Sequence, residues 1–248
     1  MFRKFVLGLF VGCLSVMSSV EAYASDQAYH ELDQLAVQAG TDKSSVFHNY
    51  TKVYARYFQA LREQPMKFLE IGIFQGNSVK LWESYFTKAD LHFIDIDNSR
   101  IQYFSERSHY YFLDQANSVA LNSFAAGLGG DFDIIIDDGG HLMDQQIISF
   151  KTLFPYLKSG GYYVIEDLHT SYWKGFGGGG TLSMPKSGPN TCTEFLKGLV
   201  DDVNYTAAVT ACADSDKISQ EIRRRLSTYQ KDIESIHFYQ SLCIIIKK

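Results

Sequence analysis

Asp133-Ile134-Ile135-Ile136-Asp137-Asp138-Gly139-Gly140-His141 is the stretch on which the fold turns. Three consecutive isoleucines make a short apolar, β-branched run, the composition of a strand buried on both faces of a parallel sheet. The run stops at two carboxylates, two glycines and an imidazole. In an open α/β sheet, ligands bind in the crevice beyond the carboxyl ends of the strands. Asp137, Asp138 and His141 therefore fall where chemistry is expected. The same residues would also suit a helix N-terminus, with acids near the positive end of the dipole and glycines in the turn. The stretch alone does not choose between these readings; its neighbours do.

Upstream, Lys67-Phe68-Leu69-Glu70-Ile71-Gly72-Ile73-Phe74-Gln75-Gly76 is a strand running into a glycine turn, with a helix following through Trp82. The glycines permit positive φ and close backbone approach, and the helix start presents unpaired N–H groups. A nucleotide-like ligand fits such a turn. The spacing is not that of a dinucleotide fold, since Phe74 stands where a glycine is wanted. Glu70 before the turn suits an ammonium group better than a pyrophosphate. Leu91 to Asp97 reads as the second strand, and Asp95 at its end is placed to accept from ribose hydroxyls. Tyr110 to Leu113 is the third, ending at Asp114-Gln115. Asp114 either reads an adenine amine or caps the helix from Val119 to Leu128.

Downstream, Gln145 to Leu157 has helical spacing and closes at Gly160-Gly161. Tyr162 to Ile165 is the fifth strand, and it too ends in two acids, Glu166 and Asp167. Acid pairs on neighbouring strands repel unless a cation or a shared proton offsets them. Oxygen ligands without cysteine suit a hard divalent ion such as Mg²⁺. Ser171 to Gly180, aromatic and then glycine-rich, reads as a mobile lid. Thr191 to Val203 is a further helix, and Ile233–Tyr239 with Ser241–Ile246 form a terminal antiparallel hairpin.

The remaining features set bounds. At 248 residues and 46% hydrophobic, the chain can bury one sizeable core. A net charge of −5 without a basic stripe gives no footprint for nucleic acid. Arg3 and Lys4 precede an apolar run to Val20, and Ala22-Tyr23-Ala24 is a small-x-small cleavage pattern. Residues 1–24 thus read as a signal peptide and 25–248 as one domain, exported to the periplasm or secreted, or else anchored by an uncleaved segment. No later run spans a bilayer. Export implies an oxidising compartment, in which Cys192 and Cys212 are candidates for a disulfide and Cys243 for a buried thiol.

Several motifs occur in a fixed order: Gly40-Thr41-Asp42-Lys43, the Tyr50/Tyr54 pair, Leu69-Glu70-Ile71-Gly72, Asp114-Gln115, Asp137-Asp138-Gly139-Gly140-His141, Val164-Ile165-Glu166-Asp167-Leu168, Tyr172-Trp173 and Ile236-His237-Phe238-Tyr239. Together they resemble the class I S-adenosylmethionine-dependent methyltransferases. Within these they resemble the metal-dependent sugar O-methyltransferases of macrolide biosynthesis, of the mycinamicin and demethylmacrocin type. The resemblance runs from about Leu32 to Lys247. It implies a Rossmann-like α/β fold with a mostly parallel seven-stranded sheet and a C-terminal antiparallel hairpin. It also implies S-adenosylmethionine and Mg²⁺ as cofactors, and methyl transfer to a hydroxyl of a sugar or other diol.

Carried over by resemblance, Glu70, Gly72 and Gly76 cradle the methionine part, Asp95 the ribose, and Asp114 with Gln115 the adenine. Asp137, Tyr50 and Tyr54 join the cofactor site. Asp138 and Asp167 hold the metal, and His141 is the general base beside Asp138. The chain departs from the family at Gly140, commonly Ser, and at Ala55, where some members carry an acid able to reach the metal. The resemblance does not extend to the additional N-terminal domain of the macrolide enzymes, which the chain is expected to lack. The expected partner is a small-molecule or glycan acceptor, with a homo-oligomer open. An exported binding protein that retains the fold without catalysis is the alternative reading, and a nucleotide-binding oxidoreductase a more distant one.

Overall fold

The computed structural model describes residues 26–248 except 182, 213, 215 and 216. The expected signal peptide lies outside the described residues. Among the described residues, no helix is long and apolar enough to cross a membrane. Two compact units divide the chain: Met1–Gln64 with Lys80–Lys88, and Pro65–Val79 with Ala89–Lys248.

In the first unit, helix α1 (26–39) leads through a turn into α2 (Thr51–Phe58). Asp33 of α1 fixes the turn by accepting from Ser45 N and Thr51 Oγ1, both at 2.7 Å. The core is aromatic. Tyr54 stacks on Phe58 at 4.9 Å, and both meet the ring of Trp82 edge-on. Tyr50 and Tyr54 are buried, Tyr50 stacking on His48 at 5.0 Å.

Among the described residues, the second unit holds all seven strands. These are β1 (Lys67–Ile71), β2 (Asp90–Asp95), β3 (Ser108–Phe112), β4 (Phe132–Asp137), β5 (Leu157–Ile165), β6 (Ile233–Tyr239) and β7 (Leu242–Lys247). They lie in the order β3-β2-β1-β4-β5-β7-β6. The first five are parallel, and β7 enters antiparallel to both β5 and β6. This is the expected class I methyltransferase-like sheet. Ile134, Ile135 and Ile136 are wholly buried, as a central strand requires. Strand order reverses between β1 and β4, so the crevice opens there. Ile71 pairs with Asp137, and Asp137 with Ile165, which brings three strand ends level.

Helix α3 (Asn77–Tyr85) follows the glycine turn after β1. Helices α4 (Ser118–Gly127), α5 (Met143–Leu153) and α6 (Cys192–Thr210) pack in succession within the second unit. Helix α5 stops four residues short of the sequence expectation. Pro155 cannot continue the helical hydrogen bonding, so a 3₁₀ turn (Phe154–Tyr156) forms and Leu157 already belongs to β5. Gly160 and Gly161 sit inside that strand. Its register jumps from Leu157 to Tyr162 while β4 advances only from Phe132 to Ile134, and Gly160 takes φ +77° in the resulting bulge.

The suggested Cys192–Cys212 disulfide does not form. Cys192 begins α6 and Cys212 follows its end, and nineteen helical residues separate the two by roughly 27 Å at 1.5 Å per residue. Both are free thiols, and so is buried Cys243 in β7.

Candidate active site

The glycine turn after β1 is shaped by backbone contact. Gly72, at φ +103°, has the carbonyl oxygen of Asp138 where a Cβ would stand, only 2.0 Å away. Gly76, at φ +87°, lies against the Tyr103 carbonyl in the same way, at 2.8 Å. Asp95 holds this turn from the end of β2. Its Oδ2 accepts from Ile73 N at 2.8 Å and Phe74 N at 3.0 Å, and its Oδ1 accepts from Ile96 N at 2.7 Å. The carboxylate expected at a ribose thus already accepts from three amides, two on Oδ2 and one on Oδ1.

Beyond these strand ends lies a cleft of about 430 Å³, lined by Gly72, Asp95, Asp97, Asp114, Gln115 and Asp138 with apolar walls from Ile96 and Leu113. Asp97 is the second acid at this strand end, where the sequence favours Asp95 as the one directly following the strand. Asp97 is exposed, and hydrogen bonds from Ser99 hold its carboxyl below the ordinary aspartate value. The Asp-x-Asp spacing at the end of β2 was the available signal, since alternate residues share a face. Asp114 is exposed at the cleft, with Oδ1 accepting from Ala116 N at 2.8 Å. It does not cap α4. Asn117 does, accepting from Ala120 N at 3.1 Å.

Gln115 departs from the adenine-reading role expected of it. The side chain is buried, and both ends of its amide are bound. Nε2 donates to Asp137 Oδ1 at 3.0 Å and to Ser149 Oγ at 3.1 Å, while Oε1 accepts from Gly140 N at 2.8 Å. Asp137, placed by resemblance at the cofactor, is instead wholly buried. Burial raises its carboxyl to about 6, against the opposing pull of Gln115, His141, Gly139 and Ser149.

The other acids converge. Ligating atoms of Asp138, His141 and Asp167 lie within 4.8 Å of one another, and those of Asp138, Glu70 and Glu166 do likewise. Glu70 and Glu166 are buried, so Asp138 joins an inner acidic group to an outer one. His141 Nε2 stands 3.5 Å from Asp167 Oδ2. Asp138 and Asp167 offer hard oxygen donors that can hold a divalent ion, and the His141 imidazole beside them is available as a base.

His169 is a residue the sequence did not announce. Its Nδ1 is 3.9 Å from Asp167 Oδ1 and 2.5 Å from Ser241 Oγ. Ser241 sits in the β6–β7 turn, and its carbonyl also accepts from Leu168 N at 3.0 Å. The terminal hairpin therefore braces the segment that carries Asp167. Trp173 meets His169 edge-on at 4.5 Å and is half-exposed, and Phe176 lies 6.4 Å from the His141 ring.

The glycine run is not the loose lid that composition suggested. A Cβ on Gly178 would stand 2.5 Å from Ser171 O and Trp173 N, and one on Gly179 would stand 2.7 Å from Gly188 Cα. Backbone packs directly on backbone there, which is why side chains are missing.

No family model matches the chain. Among curated proteins, L-olivosyl-oleandolide 3-O-methyltransferase of Streptomyces antibioticus is 35% identical over 214 residues, 83% of this chain and 54% of that protein. Mycinamicin VI 2''-O-methyltransferase of Micromonospora griseorubida is 30% identical over 88% of this chain and 52% of its own length. Demethylmacrocin O-methyltransferase of Streptomyces fradiae is 32% identical over 88% and 53%. The chain spans about half the length of these relatives. Among solved structures, the MycE methyltransferase of the mycinamycin pathway, in complex with Mg and SAH, superposes with a TM-score of 0.73 at 30% identity, covering 87% of this chain and 53% of that one.

Proposed function

We propose that this chain, a relative of the macrolide and deoxysugar O-methyltransferases with a class I methyltransferase-like sheet, transfers a methyl group from S-adenosylmethionine to a hydroxyl of a sugar or other vicinal diol. The observation that carries the reading is the convergence of His141 and Asp167 on Asp138, which itself lines the cleft built on Gly72 and the end of β2. The cleft fits the cofactor. Its apolar walls suit a purine, exposed Asp97 and Asp114 face it, and Gly72 gives backbone access. Asp97, exposed at the cleft, takes the ribose hydroxyls in preference to Asp95, most of whose acceptor capacity is directed at the turn amides. Asp138 and Asp167 would hold the ion.

When bound, the sulfonium supplies an electrophilic methyl carbon and the ion lowers the pKa of a hydroxyl it holds. A sugar hydroxyl is otherwise almost never ionised at neutral pH. His141 Nε2 takes the proton as the oxygen attacks. Asp167, facing that nitrogen, stabilises the imidazolium formed. Trp173 and Phe176 give the acceptor an apolar wall beside the base.

Calorimetric titration with S-adenosylhomocysteine, with Mg²⁺ and then with EDTA, tests the cofactor half of this reading. Micromolar binding is expected, followed by a mass increment of one methyl group in a screen of glycosides and diols. Absence of binding under every condition would leave a non-catalytic binding protein as the better account.

The leader pattern at residues 1–24 supports export of the domain that begins at Ser25. N-terminal sequencing of the protein from its native cell tests this, with Ser25 as the expected first residue and an intact Met1 or Phe2 as the result that overturns it. S-adenosylmethionine is made in the cytosol, so an exported enzyme would have to meet it elsewhere, as inside a host cell.

A further inference from the structure

We propose that Gln115 is a positioning residue for the acid–base loop rather than a reader of adenine. The inference rests on the assignment of Asp138, His141 and Asp167 as the metal and base site. Gln115 follows β3, which β2 and β1 separate from β4, yet its side chain ends among the residues of the Asp137–His141 loop. Its oxygen accepts from Gly140 N, the residue directly before His141. Its nitrogen donates to Asp137, the residue before Asp138, and to Ser149 of α5. One planar amide thus ties the last residue of β4, the turn that follows and the helix after it.

The first glycine of that turn is cut to fit the amide. A Cβ on Gly139 would stand 1.9 Å from Gln115 Oε1, so any larger residue would displace the side chain. Gly139 is therefore the complement of Gln115, and the pair fixes how Asp138 and His141 leave the sheet. A cofactor-reading amide would need a free donor and acceptor facing the cleft. Both Nε2 protons of this one are spent inside the protein, and its Oε1 already accepts from Gly140 N. The base-side polar contact at the end of β3 falls to Asp114, whose carboxylate is exposed.

The full chain carrying Gln115→Met, which keeps the length and removes every hydrogen bond, separates the two roles. Mn²⁺ affinity, read from the electron paramagnetic resonance of the free ion, should fall tenfold or more, the size of effect seen when groups orienting metal ligands are lost. S-adenosylhomocysteine affinity should change less than threefold. Hydrogen exchange in the peptide spanning residues 138–142 should accelerate, because Gly140 N loses its acceptor. Gln115→Glu keeps that acceptor and should restore protection of Gly140, which also serves should the Met variant not fold. Ser149→Ala removes one partner of the amide and leaves the loop contacts, so its Mn²⁺ affinity should stay near that of the wild type. A tenfold loss for S-adenosylhomocysteine with Mn²⁺ unchanged would make Gln115 an adenine reader and overturn the proposal. Equal losses in Ser149→Ala and Gln115→Met would reduce it to core packing and overturn it as well. Should the wild type bind no Mn²⁺, the metal assignment fails, while unchanged exchange at 138–142 in Gln115→Met would still overturn the positioning role.

Discussion

His141 and Asp167 face each other across 3.5 Å, and both hold their places in a left-handed backbone conformation, at φ 57° and 56°. Residues bearing a Cβ rarely enter that region, and each does so at a cost of about 1–3 kcal/mol. The strain is offset by surrounding contacts. The His141 carbonyl accepts from Thr170 Oγ1 at 3.3 Å, and Thr170 N donates to the Asp167 carbonyl at 2.9 Å. His141→Gly should accordingly fold as well as the wild type or better, with a melting temperature unchanged or raised by roughly 2–4 °C. It should nevertheless lose methyl transfer by a factor of at least about 100. Differential scanning calorimetry alongside a turnover assay checks this, and a melting temperature lowered by more than a few degrees would show that the ring supports the fold.

Asp95 and Asp97 should separate under substitution, although only one residue lies between them. Asp95→Ala strips the acceptor from Ile73, Phe74 and Ile96 amides, and a loss of about 1–3 kcal/mol in unfolding free energy is expected. Asp97 is exposed, and Asp97→Ala should move stability by no more than about 0.5 kcal/mol. Both variants should weaken S-adenosylhomocysteine binding about tenfold or more, Asp95 through the turn and Asp97 through direct contact. Urea unfolding combined with calorimetric titration distinguishes the two routes. Full affinity in Asp97→Ala would return the ribose to Asp95.

The opposite end of β2 should respond to pH. His92 is buried, with Nε2 3.1 Å from Asp90 Oδ2 and Nδ1 3.2 Å from the Tyr111 hydroxyl. His109 stacks on it at 5.1 Å and shares Asp90 through the other oxygen, at 3.2 Å. Burial holds the His92 pKa below its ordinary value, the His109 and Lys67 charges reinforce that, and Asp90 opposes it. The unfolded chain therefore takes up a proton before the folded chain does. Stability should fall as pH drops below about 6.5, and keep falling until the depressed folded value is passed. His92→Gln should flatten the thermal stability profile between about pH 7 and 5.5. Parallel profiles for the two proteins would place the acid sensitivity elsewhere.

Much of this architecture was visible in the chain because its signals are local. Three isoleucines followed by acids and glycines specify a buried strand with a site at its end, and the hairpin from Ile233 announces itself by composition. Strand ends carrying acid pairs also foretold that carboxylates following β4 and β5 would meet. What was hidden depends on direction and distance. Sequence alone does not say that Asp137 turns into the core while Asp138 turns out. Nor does it show Gln115 reaching across the sheet, because the Asp-Gln dipeptide looks the same whichever of its side chains faces the ligand. His169 became visible only when the hairpin turn at Ser241 closed on it, a contact spanning 72 residues. Pro155 was a legible stop signal, overridden by the apolar periodicity that continues to Leu157.

The glycine run shows how composition misleads in the other direction, and two alanine substitutions test the point. A Cβ at Gly175 would meet nothing within 4 Å, whereas one at Gly178 would be driven into Ser171 O and Trp173 N at 2.5 Å. Were the segment a loose lid, both substitutions would act alike, each stiffening the unfolded chain slightly and stabilising by about 0.4–1 kcal/mol. Packed as it is, Gly175→Ala should be neutral or mildly stabilising, while Gly178→Ala should destabilise by roughly 1–3 kcal/mol through overpacking. Loss of the Gly178 contact would also shift the Ser171–Trp173 turn, whose Thr170 end braces His141. Turnover should therefore fall in Gly178→Ala and hold in Gly175→Ala, although neither residue has a side chain to offer a substrate. Equal melting temperatures for the two variants would restore the loose lid.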